Sequence, residues 1–226
     1  MNKRLFNNAY VAHELRNNLN VVSAAVQLLE FSDLTLSQER LICKIASAQK
    51  SMLRLSENLL GAHEITICPA GINLYRFLVD IVEFNADKIR KKDLDFICDL
   101  RVPADRVILF DPLRLEQVIA NLLENAIKFT QEGTITFSAE LLEEEEEGIL
   151  LEIAVHDTGI GIAEDDLTRI FDYGVKRDES RGNGIGLYVC NCIALAMDAS
   201  LSVESAPHQG STFRFSFYAK KAGEEF

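Results

Sequence analysis

The chain has 226 residues, 48% of them hydrophobic, and a formal net charge of −12, enough for one large or two small domains around a packed core. The acidic balance argues against a nucleic-acid partner, which would need a basic patch to neutralise phosphates. No apolar run approaches the about 18 residues of a membrane helix, and no signal-peptide core opens the chain; the expectation is a cytoplasmic piece without a membrane segment, from which a sensor or membrane region could have been cut away.

In chain order, Leu5, Ala9, Ala12, Leu15, Leu19, Val22, Val26 and Leu29 recur at alternating steps of three and four, the seam of a bundle helix. The pattern breaks over Phe31 to Leu36. Thr35 followed by Gln38 resembles a capping box, and a second seam runs Leu41, Ile45, Ala48, Met52, Leu55, Leu59 as far as Gly61. Two antiparallel helices cannot bury both seams alone, so pairing of two hairpins into a four-helix bundle is expected, which makes the chain a homodimer.

After a connector, Ala62 to Gly71, the period changes. Leu74 to Lys91 reads as a helix, Leu94 to Leu100 and Val107 to Phe110 as strands, and Pro112 opens a second helix at a position where proline is tolerated. Thr134 to Leu141 and Ile149 to Val155 alternate as strands around Glu143 to Glu147, a run best read as a solvated hairpin turn; Leu201 to Val203 and Thr212 to Phe217 complete the set. The fold class is α+β: an antiparallel helical hairpin over residues 1–64, then an α/β sandwich with a mostly antiparallel sheet over residues 65–226. Five cysteines, Cys43, Cys68, Cys98, Cys190 and Cys192, show no C-x-x-C pair or zinc spacing and read as reduced, packed thiols.

Four segments carry chemistry. His13 lies beside the first seam with an exposed ring; Glu14 next to it can fix the tautomer that leaves one ring nitrogen free to attack, and Asn17, one turn on, can orient a water. Asn121 and Asn125 are also one turn apart, with Lys128 three residues further, so one helix face offers amide oxygens for a partly hydrated Mg²⁺ and an ammonium for phosphate charge. Asp157-Thr-Gly159-Ile-Gly161-Ile162 follows a strand, where a buried carboxylate can accept the amine of adenine and glycines allow close approach. Gly182-Asn-Gly184-Ile-Gly186-Leu187 precedes an apolar helix, presenting free N–H groups to phosphates. Each signal is weak alone; their fixed order points to phosphoryl transfer from a bound nucleotide to a histidine on another module.

These segments resemble the catalytic core of two-component sensor histidine kinases, a dimerisation and histidine-phosphotransfer hairpin followed by a Bergerat-type ATP-binding domain, over essentially the whole chain. His13 to Asn17 resembles the phosphoacceptor box, with Glu14 to Asn17 matching the E-x-x-N phosphatase motif; Asp111 to Gln117 on through Thr130 resembles the asparagine box. Asp157 to Ile162 and Gly182 to Leu187 resemble the two glycine boxes, Ile170-Phe171 the phenylalanine box, and Gly210 to Phe213 the last strand. The resemblance implies ATP and Mg²⁺ as cofactors, with His13 phosphorylated, Glu14 its base, Asn17 the phosphatase residue, Asn125 the metal ligand, Lys128 a phosphate contact and Asp157 the adenine anchor.

It also implies a response-regulator receiver domain as partner. Related ATPases carry a water-activating Glu where this chain has Asn121, so transfer to histidine is favoured over hydrolysis. Three departures stand out: Asn18 where the family commonly has Pro, Asn183 in place of Thr, and a short lid between Phe171 and Gly182 in which Lys176, Arg177 or Arg181 is placed to touch the γ-phosphate. The rival readings are a catalytically silent pseudokinase acting as a docking module, and an ATPase or serine kinase of the same fold.

Overall fold

The structure is a computed structural model. It describes residues 65–175 and 184–222, apart from the Asp87 side chain, together with Val21, Val22, Val26, Thr35, Gln38, Ile42 and Ile45. The chain divides into two compact units, Met1–Glu64 and Ile65–Phe226.

In the first unit, Val21, Val22, Val26, Gln38, Ile42 and Ile45 are helical. The Thr35–Gln38 pair forms one arm of the expected box. Gln38 Oε1 accepts the Thr35 N–H at 2.9 Å, but the Thr35 hydroxyl donates to the same oxygen at 2.8 Å, and the Gln38 N–H goes to the Thr35 carbonyl instead. Val26 and Ile42 are buried, whereas the seam positions Val22 and Ile45 remain 39% and 46% exposed in a single protomer. The remainder of the predicted hairpin, with His13, Glu14 and Asn17, lies outside the described residues.

The second unit is one seven-stranded sheet covered on one face by helices. Its elements are β1 (Ala70–Asn73), α1 (Leu74–Arg90), β2 (Asp95–Arg101), β3 (Val107–Phe110), α2 (Pro112–Phe129), β4 (Thr134–Glu144), β5 (Gly148–Asp157), α3 (Glu164–Leu167), α4 (Gly186–Ala196), β6 (Ser200–Ser205) and β7 (Ser211–Lys221). The strand order is β1-β3-β7-β5-β4-β2. β5 pairs with β7 along its whole length. On the other edge of β7, β6 takes Ser211 to Ser216 and β3 takes Lys220 and Lys221. All pairings are antiparallel except β2 with β4.

Period-two alternation decides which face is covered. On β5, Ile149, Leu151, Ile153 and Val155 are buried, and on β7, Phe213, Phe215, Phe217 and Ala219. They pack against Leu78 and Ile89 of α1, Leu115, Ile119 and Leu122 of α2, and Ile193 of α4. Burying each of these large side chains contributes about 2 kcal/mol, so the sheet and helices order together.

β1 was not foreseen: Ala70 and Gly71, assigned to the connector, pair with Phe110 and Leu109. Ala-Gly-Ile-Asn has no apolar alternation, and the strand is held by backbone pairing at the sheet edge. α3, only four residues, was also missed. Only the second part of the acidic run forms the hairpin turn: Glu143 and Glu144 still pair with Leu150 and Ile149 in the β4–β5 ladder, and the Glu145 N–H donates to the Gly148 carbonyl. Arg106 and Lys221 lie 2.9 and 2.8 Å from Glu144, and the Lys221 ammonium donates to the Glu145 carbonyl at 2.7 Å. Cys190 and Cys192 are packed, but Cys68 and Cys98 are exposed. Cys98 shares the inward side of β2 with Phe96 and Leu100, but β2 is an edge strand of the sheet and leaves the thiol exposed there. Among the described residues no helix is long and apolar enough to cross a membrane.

Candidate functional site

Helix α2 starts where its sequence dictates. Asp111 is its N-cap, extended in backbone, and accepts the Arg114 N–H at 3.1 Å on Oδ1, with proline in the first turn. Its other oxygen, Oδ2, accepts the Cys68 N–H at 2.7 Å. Asp111 itself is 3% exposed. Eight residues of α2 are buried, among them Val118, Leu122 and Leu123, so the helix is fixed along its length and the half-buried Asn121 and Asn125 are carried at set positions.

Asn121 points across to α4. Its Nδ2 lies 3.5 Å from the Gly186 carbonyl oxygen and 3.6 Å from Cys190 Sγ, both long contacts. Burial pushes the Cys190 thiol up to about 12, so it is an inert packing group beside the site. Gly186 is the first residue of α4, and no side chain caps that end. A helix N-terminus of this kind favours an anion. Gly184 adopts a left-handed φ of +66° and accepts the Gly174 N–H at 3.2 Å. Tyr173 and Tyr188 meet edge to face at 5.3 Å across the same junction. Phe171 packs half-buried against the core.

Asp157 continues the inward alternation of β5, which is why a carboxylate reaches the covered face and is only 4% exposed. Burial raises its pKa above the ordinary 3.8; hydrogen bonds from the Gly159 N–H and from Ser211, directly opposite on β7, and the charge of His156 oppose that rise. The Gly159 N–H donates to Asp157 Oδ1 at 2.8 Å. A Cβ on Gly159 would stand 2.5 Å from the Phe129 carbonyl oxygen and 2.7 Å from that same Oδ1. Gly161, at φ +63°, has the Ala206 carbonyl where a Cβ would be.

The turn is therefore clamped on two sides. The Ile160 N–H donates to the Phe129 carbonyl at the end of α2, and the His208 N–H to the Ile160 carbonyl; the Ile162 N–H donates to Ser205 Oγ, which donates on to the Gly210 carbonyl. Lys128 stacks its ammonium 4.6 Å from the Phe129 ring centre and lines a cavity of about 430 Å³ with Lys88, Lys92, Glu124, Ile127 and Gln131.

The structure thus joins Asn121 to Gly186, and the Asp157–Gly161 turn to the end of the asparagine helix. Arg181 and Gly182 lie outside the described residues. The sequence reading missed Ser211, Ser205 and Gly210. A Gly-Ser-Thr directly ahead of an alternating strand was the available signal, and strand register supplies the rest.

The donor set can be tested against a nucleotide with its metal. Among the described residues no group of three or more His, Cys, Asp or Glu could cage a metal ion. A magnesium ion carried on phosphates keeps most of its water and takes few protein ligands, so it needs no such cage, and the half-buried Asn125 offers an amide oxygen of the kind it takes.

Helices over one face of this sheet, with an open helix N-terminus and a buried carboxylate at a strand end, define a nucleotide-binding domain. Residues 110–221 match the family described as histidine kinase-, DNA gyrase B-, and HSP90-like ATPase, and residues 4–65 match the His Kinase A phospho-acceptor domain. The sensor histidine kinase GacS of Pseudomonas protegens is 31% identical over 96% of this chain and 25% of its own length. The aerobic respiration control sensor protein ArcB of Escherichia coli is 30% identical over 95% and 28%, and the sensor histidine kinase RcsC of Escherichia coli 32% over 91% and 22%. The chain spans about a quarter of the length of the curated relatives it matches.

Among solved structures, full-length ShkA in complex with AMPPNP superposes with a TM-score of 0.65 at 28% identity, covering 96% of this chain and 46% of that one. The catalytic domain of the histidine kinase ThkA gives 0.55 at 25%, covering 66% and 95%. The chain belongs to the two-component sensor histidine kinases, and what it carries is their catalytic core.

Proposed function

We propose that this chain is an ATP-dependent protein histidine kinase that phosphorylates its own His13 and passes the phosphoryl group to an aspartate of a response-regulator receiver domain. The carrying observation is the Asp157–Gly159 turn, buried, carboxylate-bearing and clamped to the end of α2. In this reading Asp157 accepts the adenine amine, and the tight fit around Gly159 and Gly161 brings backbone against the base. Asn125 would hold Mg²⁺, which would supply positive charge against the phosphates. Lys128 and the uncapped first turn of α4, through Gly184, Gly186 and Leu187, take up the remaining phosphate charge, with Arg181 and Gly182 completing that side. Asn121 keeps α4 next to α2.

On the acceptor module, a ring nitrogen of His13 attacks the γ-phosphorus in line, the bond from that phosphorus to the β,γ-bridging oxygen breaks and ADP leaves, while Glu14 takes the imidazole proton; Asn17 supports dephosphorylation of the receiver. The domains divide at residues 64 and 65. Val22 and Ile45, exposed seam positions, support a homodimer through the N-terminal helices. We place the activity in the cytoplasm, where ATP and receiver domains are found.

The test is incubation with γ-labelled ATP followed by acid and alkali treatment. Acid-labile, alkali-stable label on the wild type and none on His13→Gln is expected. Free phosphate alone would indicate an ATPase, acid-stable label a serine kinase, and nucleotide binding without label a silent docking module.

A further inference from the structure

We propose that Asp111 is a positioning residue for this phosphoryl transfer, joining the connector from the N-terminal unit to the helix that carries Asn121, Asn125 and Lys128. The inference rests on the kinase reading above. Its ground is the division of labour within one carboxylate: Oδ1 caps α2 through the Arg114 N–H at 3.1 Å, and Oδ2 holds the Cys68 N–H at 2.7 Å.

A helix cap needs only the first contact. The second spans 43 residues of sequence and is made by a carboxylate side chain 3% exposed, where losing the contact leaves one buried oxygen without that partner. Immediately beyond Cys68, Pro69 restricts the backbone, and Ala70 to Asn73 pair with β3, whose last residue Phe110 adjoins Asp111. The connector is thus committed to the nucleotide domain from Cys68 onward. Any pivot between the units lies before that residue, not throughout 62–71, and motion arriving there is passed to the start of α2 rather than absorbed by slack chain. Geometry of this kind sets how often a γ-phosphate reaches its acceptor, and errors on the order of an ångström cost rate.

The tie can be cut in two ways that spare the cap. Asp111→Asn keeps a carbonyl oxygen for the Arg114 N–H, since Asn caps as well as Asp, but turns an NH₂ toward Cys68. Cys68→Pro removes the N–H donor and suits a residue already held extended by the proline after it. Each variant of the full chain is to be assayed for ADP affinity, for kcat and KM of label incorporation into His13, and for hydrogen exchange at the residue 68 amide where one remains.

Both variants should lower kcat by about tenfold with KM for ATP and ADP affinity within about twofold of wild type; the double variant should add nothing further, as for two ends of one contact. The Cys68 amide should be protected in the wild type and exchange faster in Asp111→Asn. Unchanged kcat, a loss confined to ADP affinity, additive effects or an unprotected Cys68 amide would each overturn the proposal. Wild-type protein that never incorporates label would sink the kinase reading instead, and exchange at Cys68 would still decide whether the tie exists.

Discussion

At the hairpin end of β5, carboxylates stand in water beside cations; at the other end a single carboxylate is buried under the helices. The contrast separates two uses of the same chemical group. Glu144 is held below its usual range chiefly by its hydrogen bond with Lys221, and also by Arg106. Asp157 is pushed above its usual range chiefly by desolvation. The first is a surface group relieved by neighbours, and such pairs contribute little to stability. In the second, burial works against the charged form, a pattern that clusters at sites serving a ligand.

The linkage signs are opposite. For Glu144, with its folded pKa depressed, stability is present above the unfolded value of 4.5 and lost as pH falls through the folded one. For Asp157, with its folded pKa raised, the contribution is greatest below 3.8 and lost as pH rises through the folded value.

The contrast breaks most completely at the glycines that seat Asp157. Gly161→Ala, which puts a Cβ on the Ala206 carbonyl at φ +63°, should cost about 2–4 kcal/mol, read as a fall in Tm, and abolish ADP binding measured by calorimetry. Gly159→Ala should lose binding with a smaller loss of stability, because its φ is not left-handed. Next in size, Asp157→Ala should weaken ADP by about 10- to 100-fold, the range for a hydrogen bond to a charged group. In wild type, ADP affinity should fall on acidification at a pH above that expected for an ordinary carboxylate, since a protonated Asp157 no longer accepts with its full charge; affinity flat down to pH 4 would contradict the assignment.

A third acidic residue sharpens the comparison from outside it. Asp198 ends α4 at φ +51°, with the Ala199 N–H returning to the Ala194 carbonyl, and is exposed. Asp198→Gly should stabilise by about 0.5–1 kcal/mol in thermal unfolding, because only backbone conformation is at stake. The smallest effect belongs to the hairpin end: Lys221→Met should leave ADP affinity unchanged and shift Tm only slightly, with the shift disappearing in high salt.

How far the sequence could be read depended on the range of the forces involved. β3 and the start of α2 were placed to the residue, because a short all-apolar run and a first-turn proline act locally. The Asp157–Gly161 turn was equally legible, since its constraints lie in its own glycines. β1 was invisible because its partner Phe110 is forty positions from Ala70. Ser211 was read as the start of a strand and not as a site residue: only register puts it opposite Asp157. Cys98 looked packed because composition does not distinguish an edge strand from a central one. Asp111 was recognised as part of a motif, yet its second oxygen serves a residue that no local pattern connects to it.

The hydrogen bond between Gly174 and Gly184 has a consequence for how such proteins diversify. Because main chain is fastened to main chain at that point, the excursion it encloses begins and ends at a fixed gate, and closing a longer one costs only about 0.6 kcal/mol for each doubling of length. Evolution, or an engineer exchanging the connection between those two glycines among relatives, can therefore change its length at little entropic cost, so long as Arg181 and Gly182 are kept.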